Sequence, residues 1–244
     1  PMQVKIFLIF FIGYLSSSYN LEANSTLRAG LNDEVASGKM STLVFSVSAT
    51  KDKGSVHYEI HFGEKQRAFA ERVRAVLQYV TVPLLNYFQF SPQDTVHFII
   101  KSDADSANGS ATPFPRNLIE LYDYPPLGKG QLSANPHWLE ALVLHELIHA
   151  FHLDRTTGFL QGLRTVFGSV GKLGGITPRW FTEGLATWGE SYFTGRGRRL
   201  SLALYDEVLE VISRENFCSS ADCLDFPSDY PGGALSYYIG SHFL

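Results

Sequence analysis

The sequence predicts an α+β domain, because its β-forming segments come first and its helical segments follow. Short runs of β-forming residues extend to about residue 124, and segments with helical spacing dominate after residue 132. This order favours an α+β fold over a wound parallel sheet. With 244 residues, 45% of them hydrophobic and 14% aromatic, the chain can bury a substantial core, which excludes a disordered or collagen-like protein.

The strand-rich half begins with a predicted hairpin. Residues 43–49 and 55–62 are rich in β-forming side chains and flank a charged turn at 51–54. Apolar residues then recur at helical spacing over 64–88, with charges and amides between them, which predicts a helix.

Two further strands are predicted, with a polar loop between them. Residues 95–101 have the pattern of a mostly buried strand, and residues 118–124 form a second strand that ends at Pro125 and Pro126. Because proline cannot donate to the sheet ladder, we expect this second strand at an edge of the sheet.

The second half of the chain predicts several helices. Asn135 and Thr177 each precede a proline, which places a capping side chain before proline at the first helical position. We expect these two helices to reach about residues 153 and 193. Shorter helical patterns occupy residues 201–215 and 233–244.

The first 23 residues predict a secretory signal. Lys5 precedes an apolar run of about ten residues, which is followed by serines and is too short to cross a bilayer as a helix. An uncleaved N-terminal membrane anchor is the alternative interpretation. We therefore predict an exported protein of the periplasm, cell envelope or extracellular space, with its globular domain over residues 38–244.

Export also affects the interpretation of Cys218 and Cys223, the only two cysteines of the chain. A turn-like segment separates them, which favours a local disulfide over two free thiols in an oxidising compartment. Residues 237–244 are apolar and carry no helix stop signal, so we expect a further C-terminal domain outside this sequence. With 20 basic and 24 acidic residues, the net charge of −4 argues against a nucleic-acid partner.

Residues 145–149 carry an H-E-x-x-H pattern inside the first capped helix. His145 and His149 lie one turn apart and about 40° apart around the helix axis, so both imidazoles can reach one ion. Glu146 is displaced by about 100°, where it can contact a metal-bound water instead of the metal. The helix is apolar nearly all round and hence buried, and burying these polar groups without compensation is costly. The pattern predicts a zinc site with Glu146 as general base.

A catalytic zinc site needs a third protein ligand, for which there are three candidates. His152 shares the histidine face, but it lies about 10 Å along the axis from His145, too far for both to hold one ion. Asp154 lies at the end of the helix and points away from that face. Glu183 lies in the second capped helix, where small neighbours permit close helix packing; a salt bridge to Arg179 is its alternative role.

These motifs together resemble the gluzincin metallopeptidases. The segment Trp180-x-x-Glu183-Gly184-x-Ala186 with Glu190 is more similar to aminopeptidase N than to thermolysin, since thermolysin-type enzymes carry an aspartate where this chain has Thr187. More narrowly, the chain resembles exported bacterial peptidase-MA-like proteins, in which such a domain often precedes a β-propeller.

The resemblance implies a thermolysin-like zincin fold, with an N-terminal mixed β-sheet and a helical half that carries the metal site. It implies one catalytic Zn²⁺ held by His145, His149 and Glu183, with Glu146 as base. It also implies an oxyanion donor from a later helix, for which Tyr237 is slightly favoured over Tyr238.

Two departures from the family pattern affect the predicted activity. The interval of 34 positions between His149 and Glu183 is longer than usual in aminopeptidase N relatives, and we expect its Gly-rich part, 158–175, to form a lid or rim. The Gly-x-Met-Glu-Asn segment, which binds the substrate amine in those aminopeptidases, does not precede the zinc helix. An endopeptidase is therefore favoured over an aminopeptidase.

The sequence thus predicts an exported zinc endopeptidase that hydrolyses a peptide or protein substrate. We expect the substrate to add as a strand along the predicted edge strand, 117–124. The alternative is a non-catalytic, metal-stabilised interaction module attached to a C-terminal domain. The arginines at 196, 198 and 199 are expected on a solvated face.

Overall fold

Five strands form one mixed sheet in the computed structural model, in the order β1-β2-β3-β5-β4. The strands are β1 (Ser41–Ser48), β2 (Ser55–Phe62), β3 (Val96–Lys101), β4 (Gly109–Thr112) and β5 (Asn117–Tyr122). The structure describes residues 40–49, 54–102, 108–113, 116–126, 135–156, 161–162, 164–165, 177–200, 210, 213 and 235–243.

The strand pairing confirms the predicted hairpin and shows a parallel centre. Strands β1 and β2 pair antiparallel, with Ser48 opposite Ser55 at the hairpin end. Strand β3 pairs parallel with both β2 and β5, and β4 pairs antiparallel with β5. The helix between β2 and β3 supplies the crossover that a parallel pair requires.

The predicted edge position of the strand at 118–124 is wrong. Strand β5 lies between β3 and β4, and the edge belongs to the four-residue strand β4. Strand β5 ends at Tyr122, three residues before Pro125, so the proline lies outside the ladder and does not restrict the strand to an edge. Strand β4 lies in the polar segment for which no strand was predicted.

The described residues include four helices of nine residues or more: α1 (Arg67–Phe88, preceded by a 3-10 turn, Glu64–Gln66), α2 (Trp138–Asp154), α3 (Arg179–Thr194) and α4 (Leu235–Phe243). Each agrees with a predicted helix. Sheet and helices together form a mixed architecture that is compatible with the predicted α+β class.

The predicted N-caps of the two helices in the second half are wrong by one or two residues. Helix α2 is capped at His137, because Asn135 forms a turn in which its side chain accepts the His137 N–H at 2.9 Å. Helix α3 is capped at Pro178, whose carbonyl accepts the N–H groups of Phe181 and Thr182. Helix α3 ends at Gly195, whose φ of 64° is the left-handed conformation favoured by glycine.

The core lies on one face of the sheet. Alternate residues of β2 and β3, such as Tyr58, Ile60 and Phe98, are fully buried there together with Leu77 of α1 and Leu144 of α2. Helix α2 is buried on nearly all sides, as its apolar sequence predicts, and burial on this scale supplies the main stabilising term of the fold. The metal-ligand pattern is therefore carried by the most enclosed helix of the described chain.

Several predictions concern residues outside the described part of the chain. These are the signal segment at 1–23, the disulfide between Cys218 and Cys223, most of the Gly-rich segment at 158–175 and nearly all of the helix at 201–215. Among the residues that are described, no helix has the length and apolarity needed to span a membrane.

Candidate metal centre

Helix α2 places both histidines of the H-E-x-x-H pattern on one face. His145 and His149 are 3% and 7% exposed, and their Nε2 atoms lie 3.1 Å apart. Residues four positions apart are neighbours on one face of a helix, and the surrounding apolar residues bury that face.

Helix α3 packs against α2 and brings Glu183 to the histidines. A Cβ atom at Gly189 would lie 2.2 Å from the Cδ1 atom of Ile148, so this glycine allows α3 to approach α2 closely. Gly184, which was expected to permit that approach, instead contacts α4, where a Cβ atom would lie 2.4 Å from the carbonyl carbon of Gly240. Glycines thus bring α3 close to both neighbouring helices.

The carboxylate of Glu183 converges with the two imidazoles. Its Oε2 atom lies 3.3 Å from Nε2 of His145 and 3.4 Å from Nε2 of His149. In a tetrahedral zinc site with bonds of about 2.0–2.2 Å, ligand atoms are about 3.3–3.6 Å apart. The separations in this triad, which we call the helix cluster, are close to that spacing. The other carboxylate oxygen of Glu183, Oε1, lies 3.9 Å from Nε of Arg179. Glu183 therefore forms the salt bridge to Arg179 and converges with the histidines at the same time.

The other two candidate ligands are directed elsewhere. His152 packs edge-on against the ring of Phe181, and burial lowers the pKa of His152 to about 4. Asp154 is fully buried and accepts the backbone N–H of Gln93 at 2.7 Å, while its other oxygen lies 3.1 Å from the Arg164 guanidinium. Neither side chain belongs to the helix cluster.

A buried ion pair contacts His145 at Nδ1, the ring nitrogen that does not face the helix cluster. Glu190 is fully buried, and its Oε1 atom accepts from Nδ1 of His145 at 2.7 Å. The Arg198 guanidinium donates to both Glu190 oxygens, through Nε at 3.1 Å to each. Nη2 of Arg198 also lies 2.8 Å from Nδ1 of His145, so both members of the ion pair contact that nitrogen, and Nε2 faces the cluster.

Sequence reasoning missed these roles of Glu190 and Arg198. The prediction of a solvated arginine face is wrong for Arg198, whose side chain is 13% exposed and paired with Glu190. The carboxylate beside His145 comes from Glu190, seven residues after Glu183. The sequence did contain a signal, since Glu190 belongs to the same motif as Glu183, but it did not show which residues Glu190 contacts.

The charged groups around His145 favour a positive charge at this position, either on the imidazole or on a bound ion. Burial and Arg198 act to lower the pKa of His145, but hydrogen bonds to Glu183 and Glu190 outweigh them and raise it to about 9. Burial opposes ionisation of Glu183, yet its two histidine partners hold its pKa well below the usual range. Burial also opposes ionisation of Glu190, but Arg198 and His145 lower its pKa to about 2. Two carboxylates therefore face one imidazole.

Glu146 lies beside the helix cluster without belonging to it. The residue is 5% exposed, and this burial raises the pKa of its carboxyl, although the neighbouring histidines oppose the shift. Its Cγ atom lies close to the edge strand, since a Cβ atom at Gly109 would be 3.1 Å from it. Gly109 of β4 thus lets the edge strand approach the predicted base.

The structure separates the two candidate oxyanion donors. The ring of Tyr237 stacks on His145, with centroids 5.7 Å apart, and the Cζ atom of Arg198 lies 5.0 Å from the centroid of the Tyr237 ring. Tyr238 is 2% exposed and buried in the interior. Of the two, Tyr237 is the one that contacts the helix cluster.

The solved structures similar to this chain include two M1 zinc metallopeptidases, both at a low level of similarity. One is a mutant of an M1 zinc metallopeptidase from Deinococcus radiodurans, with a TM-score of 0.38 and 13% identity, covering 83% of this chain and 39% of the other. The second is a two-domain M1 zinc metallopeptidase mutant bound to L-tryptophan, with a TM-score of 0.35 and 14% identity, covering 72% and 33% of the two chains.

The described similarity spans only 33–39% of the length of those two structures. TM-scores this low carry no argument about activity, so the interpretation of the site depends on its own geometry. No protein-family model and no curated protein matches the sequence.

Proposed function

We propose that this protein is a zinc-dependent peptidase of the gluzincin type, in which His145, His149 and Glu183 hold the metal. The observation that supports this most strongly is the convergence of three ligand atoms at 3.1–3.4 Å, next to a buried carboxylate that is not one of them. Two imidazoles and one glutamate are a donor set that catalytic zinc sites use.

The helix cluster fits a metal better than it fits a hydrogen-bond network. Hydrogen bonds between nitrogen and oxygen measure about 2.7–3.2 Å, and the supporting contact between His145 and Glu190, at 2.7 Å, has that length. The two Nε2 atoms are 3.1 Å apart, within that range, but both contacts of Glu183 with the histidines are longer, as expected for atoms that bind a common ion. A zinc ion held there would supply Lewis acidity and a bound water of pKa about 7.

Glu146 is the proposed general base. Its position one residue after His145 directs its carboxylate past the ligand atoms, and its burial beside Gly109 restricts access of bulk water. The carboxylate accepts the proton of the attacking water and delivers it to the amine that leaves when the peptide bond breaks. Tyr237 is the proposed donor to the carbonyl oxygen that becomes negatively charged.

Strand β4 replaces the strand at 117–124 as the proposed substrate-binding edge. An extended peptide can pair with an unpaired edge strand through main-chain hydrogen bonds. Side chains of β4, β5 and α2 line one small gap beside this edge. Thr112 and His149 both line it, so a peptide on β4 passes beside the helix cluster.

The finer parts of the proposal come from the sequence. The missing amine-binding segment supports an endopeptidase, and the apolar N-terminal segment supports export. Blocking the amino terminus of a test peptide separates an endopeptidase from an aminopeptidase, because only an aminopeptidase needs the free amine.

The deciding experiment compares casein hydrolysis by wild type and Glu146→Gln at equal zinc content. We expect the variant to keep its zinc and to lose at least about 10³-fold in activity, because the ligands remain and the base is removed. Glu140→Gln, the same change on the same helix outside the helix cluster, serves as control and should keep activity. If zinc-loaded Glu146→Gln cleaved casein as fast as wild type, Glu146 would not be the base. If neither protein cleaved casein, a non-catalytic module would be favoured.

A further inference from the structure

A second group of metal-ligating side chains lies on the sheet face opposite the core. Glu59 and His61 are two residues apart on β2 and therefore share a face, and His97 of β3 is the direct register partner of Glu59. The alternate residues Tyr58, Ile60 and Phe98 fill the core on the other face. The helix cluster is formed by α2 and α3, so the two groups are built from different elements.

The three ligand atoms of this sheet cluster, Glu59, His61 and His97, are almost equally spaced. Nε2 of His61 lies 3.4 Å from Nδ1 of His97 and 3.5 Å from Oε2 of Glu59. Nδ1 of His97 lies 3.4 Å from the same oxygen. This nearly equilateral triangle matches the spacing of about 3.3–3.6 Å between the ligands of a tetrahedral zinc ion.

Neighbouring contacts on the same face are ordinary hydrogen bonds. Oγ of Ser46 lies 2.7 Å from Nδ1 of His57, and Oγ1 of Thr42 lies 3.0 Å from Nδ1 of His61. All three separations within the sheet cluster exceed the usual hydrogen-bond range of about 2.7–3.2 Å. Direct hydrogen bonding therefore explains the surrounding contacts but not the triangle.

The surroundings leave the ring nitrogens available. When Nδ1 of His61 donates to Thr42, Nε2 carries the lone pair that faces the triangle. Nδ1 of His97 faces the same triangle, 3.4 Å from Oε2 of Glu59. Neutral imidazole nitrogens are the form that binds metal.

We propose that Glu59, His61 and His97 form a second site for a divalent transition-metal ion such as Zn²⁺, independent of the peptidase site. Two imidazoles and a carboxylate suit zinc and its neighbours better than Mg²⁺ or Ca²⁺, which prefer oxygen donors. Water would complete the coordination. An ion bound there joins β2 to β3, so its role is to stabilise the sheet.

Zinc titration of the full chain tests this site. The proteins compared are wild type, His97→Gln, Glu59→Gln and the matched control His57→Gln, a histidine of the same strand outside the triangle. After saturation with Zn²⁺ and removal of excess metal, we expect wild type and His57→Gln to retain one more zinc per chain than the two cluster variants. Added zinc should also raise the melting temperature of wild type more than that of the variants.

Equal zinc content in all four proteins would overturn the proposal. Circular dichroism checks the fold of each variant, and Glu59→Gln preserves size, so its zinc content decides the matter if His97→Gln fails to fold. Casein hydrolysis distinguishes this proposal from the proposed function. If the cluster variants hold one zinc fewer but hydrolyse casein like wild type, both proposals are supported. If they hold one zinc fewer and wild type does not cleave casein, the second site is supported and the proposed peptidase function is not.

Discussion

The helix cluster and the sheet cluster have nearly the same internal spacing but different surroundings. Ligand atoms are 3.1–3.4 Å apart in the first and 3.4–3.5 Å apart in the second. The helix cluster has a buried ion pair behind it and an additional carboxylate, Glu146, beside it. In both clusters one carboxylate, Glu183 or Glu59, is itself among the converging groups, so the difference lies in what surrounds them.

Ligand spacing alone therefore does not distinguish a catalytic metal site from a structural one. Three converging side chains suffice to hold an ion, whereas hydrolysis also requires a base that the ion does not use. We propose catalysis for the helix cluster and stabilisation for the sheet cluster, and each proposal can be tested by changing one cluster at a time.

The largest difference in casein hydrolysis is expected between two variants that each replace one ligand, one in the helix cluster and one in the sheet cluster. Glu183→Gln should reduce casein hydrolysis by at least about 10³-fold, because it weakens metal binding at the catalytic position. Glu59→Gln should leave hydrolysis within about twofold of wild type while zinc content falls, since it acts on the other cluster. Activity assays and metal analysis on the same samples measure both effects.

Glu71→Gln, a glutamate of α1 paired with Arg74 on the surface, controls for the change of charge. If Glu59→Gln lost activity as fully as Glu183→Gln does, the functional separation of the two clusters would be wrong.

An intermediate effect is expected from Glu190→Gln. The amide is a weaker acceptor for Nδ1 of His145 and leaves Arg198 without its buried counter-charge. We expect zinc affinity at the helix cluster to fall about 10–100-fold, with activity recovering substantially at saturating zinc. Competition with a chromophoric chelator measures the affinity.

The recovery at saturating zinc distinguishes a positioning role of Glu190 from a direct role in the reaction. Unchanged zinc affinity in the Glu190→Gln variant would show that the supporting ion pair does not tune the metal.

A smaller effect is expected from Gly184→Ala, which changes helix packing without removing a ligand. Its Cβ atom would lie 2.4 Å from the backbone of Gly240, so α3 and α4 must separate and Tyr237 moves relative to His145. We expect the free energy of unfolding to fall by about 1–3 kcal/mol, measured by urea denaturation.

Gly189→Ala is the matched control for that substitution. Its Cβ atom would contact the end of the Ile148 side chain, which can move, so the destabilisation should be smaller. The opposite order of the two variants would show that the contact between α3 and α4 is not the tighter constraint.

Local patterns in the sequence predicted most of the described elements. The hairpin, the helix at 64–88 and the strand at 95–101 follow from periodicity alone, and the spacing of the H-E-x-x-H pattern places both histidines on one helical face. The structure also brings Glu183 to them, as the motif comparison anticipated. The roles of these residues as ligands remain predictions.

Features that depend on the arrangement of distant segments were not predictable from local patterns. Strand β4 is only four residues long, and its Gly-Ser-Ala-Thr sequence has weak β propensity, so the edge was assigned to the wrong strand. The pairing of Arg198 with Glu190 depends on the turn after α3. The sheet cluster requires the register between β2 and β3, which is set across the α1 crossover.

We propose that His145, His149 and Glu183 bind one catalytic zinc. Crystals of the zinc-loaded protein, measured on both sides of the zinc absorption edge, would locate the ion. We expect an anomalous peak about 2 Å from Nε2 of both histidines and from a carboxylate oxygen of Glu183, with Glu146 outside bonding distance. An ion that is not bound by Glu183, or the absence of a peak at the helix cluster, would show that this ligand assignment is wrong.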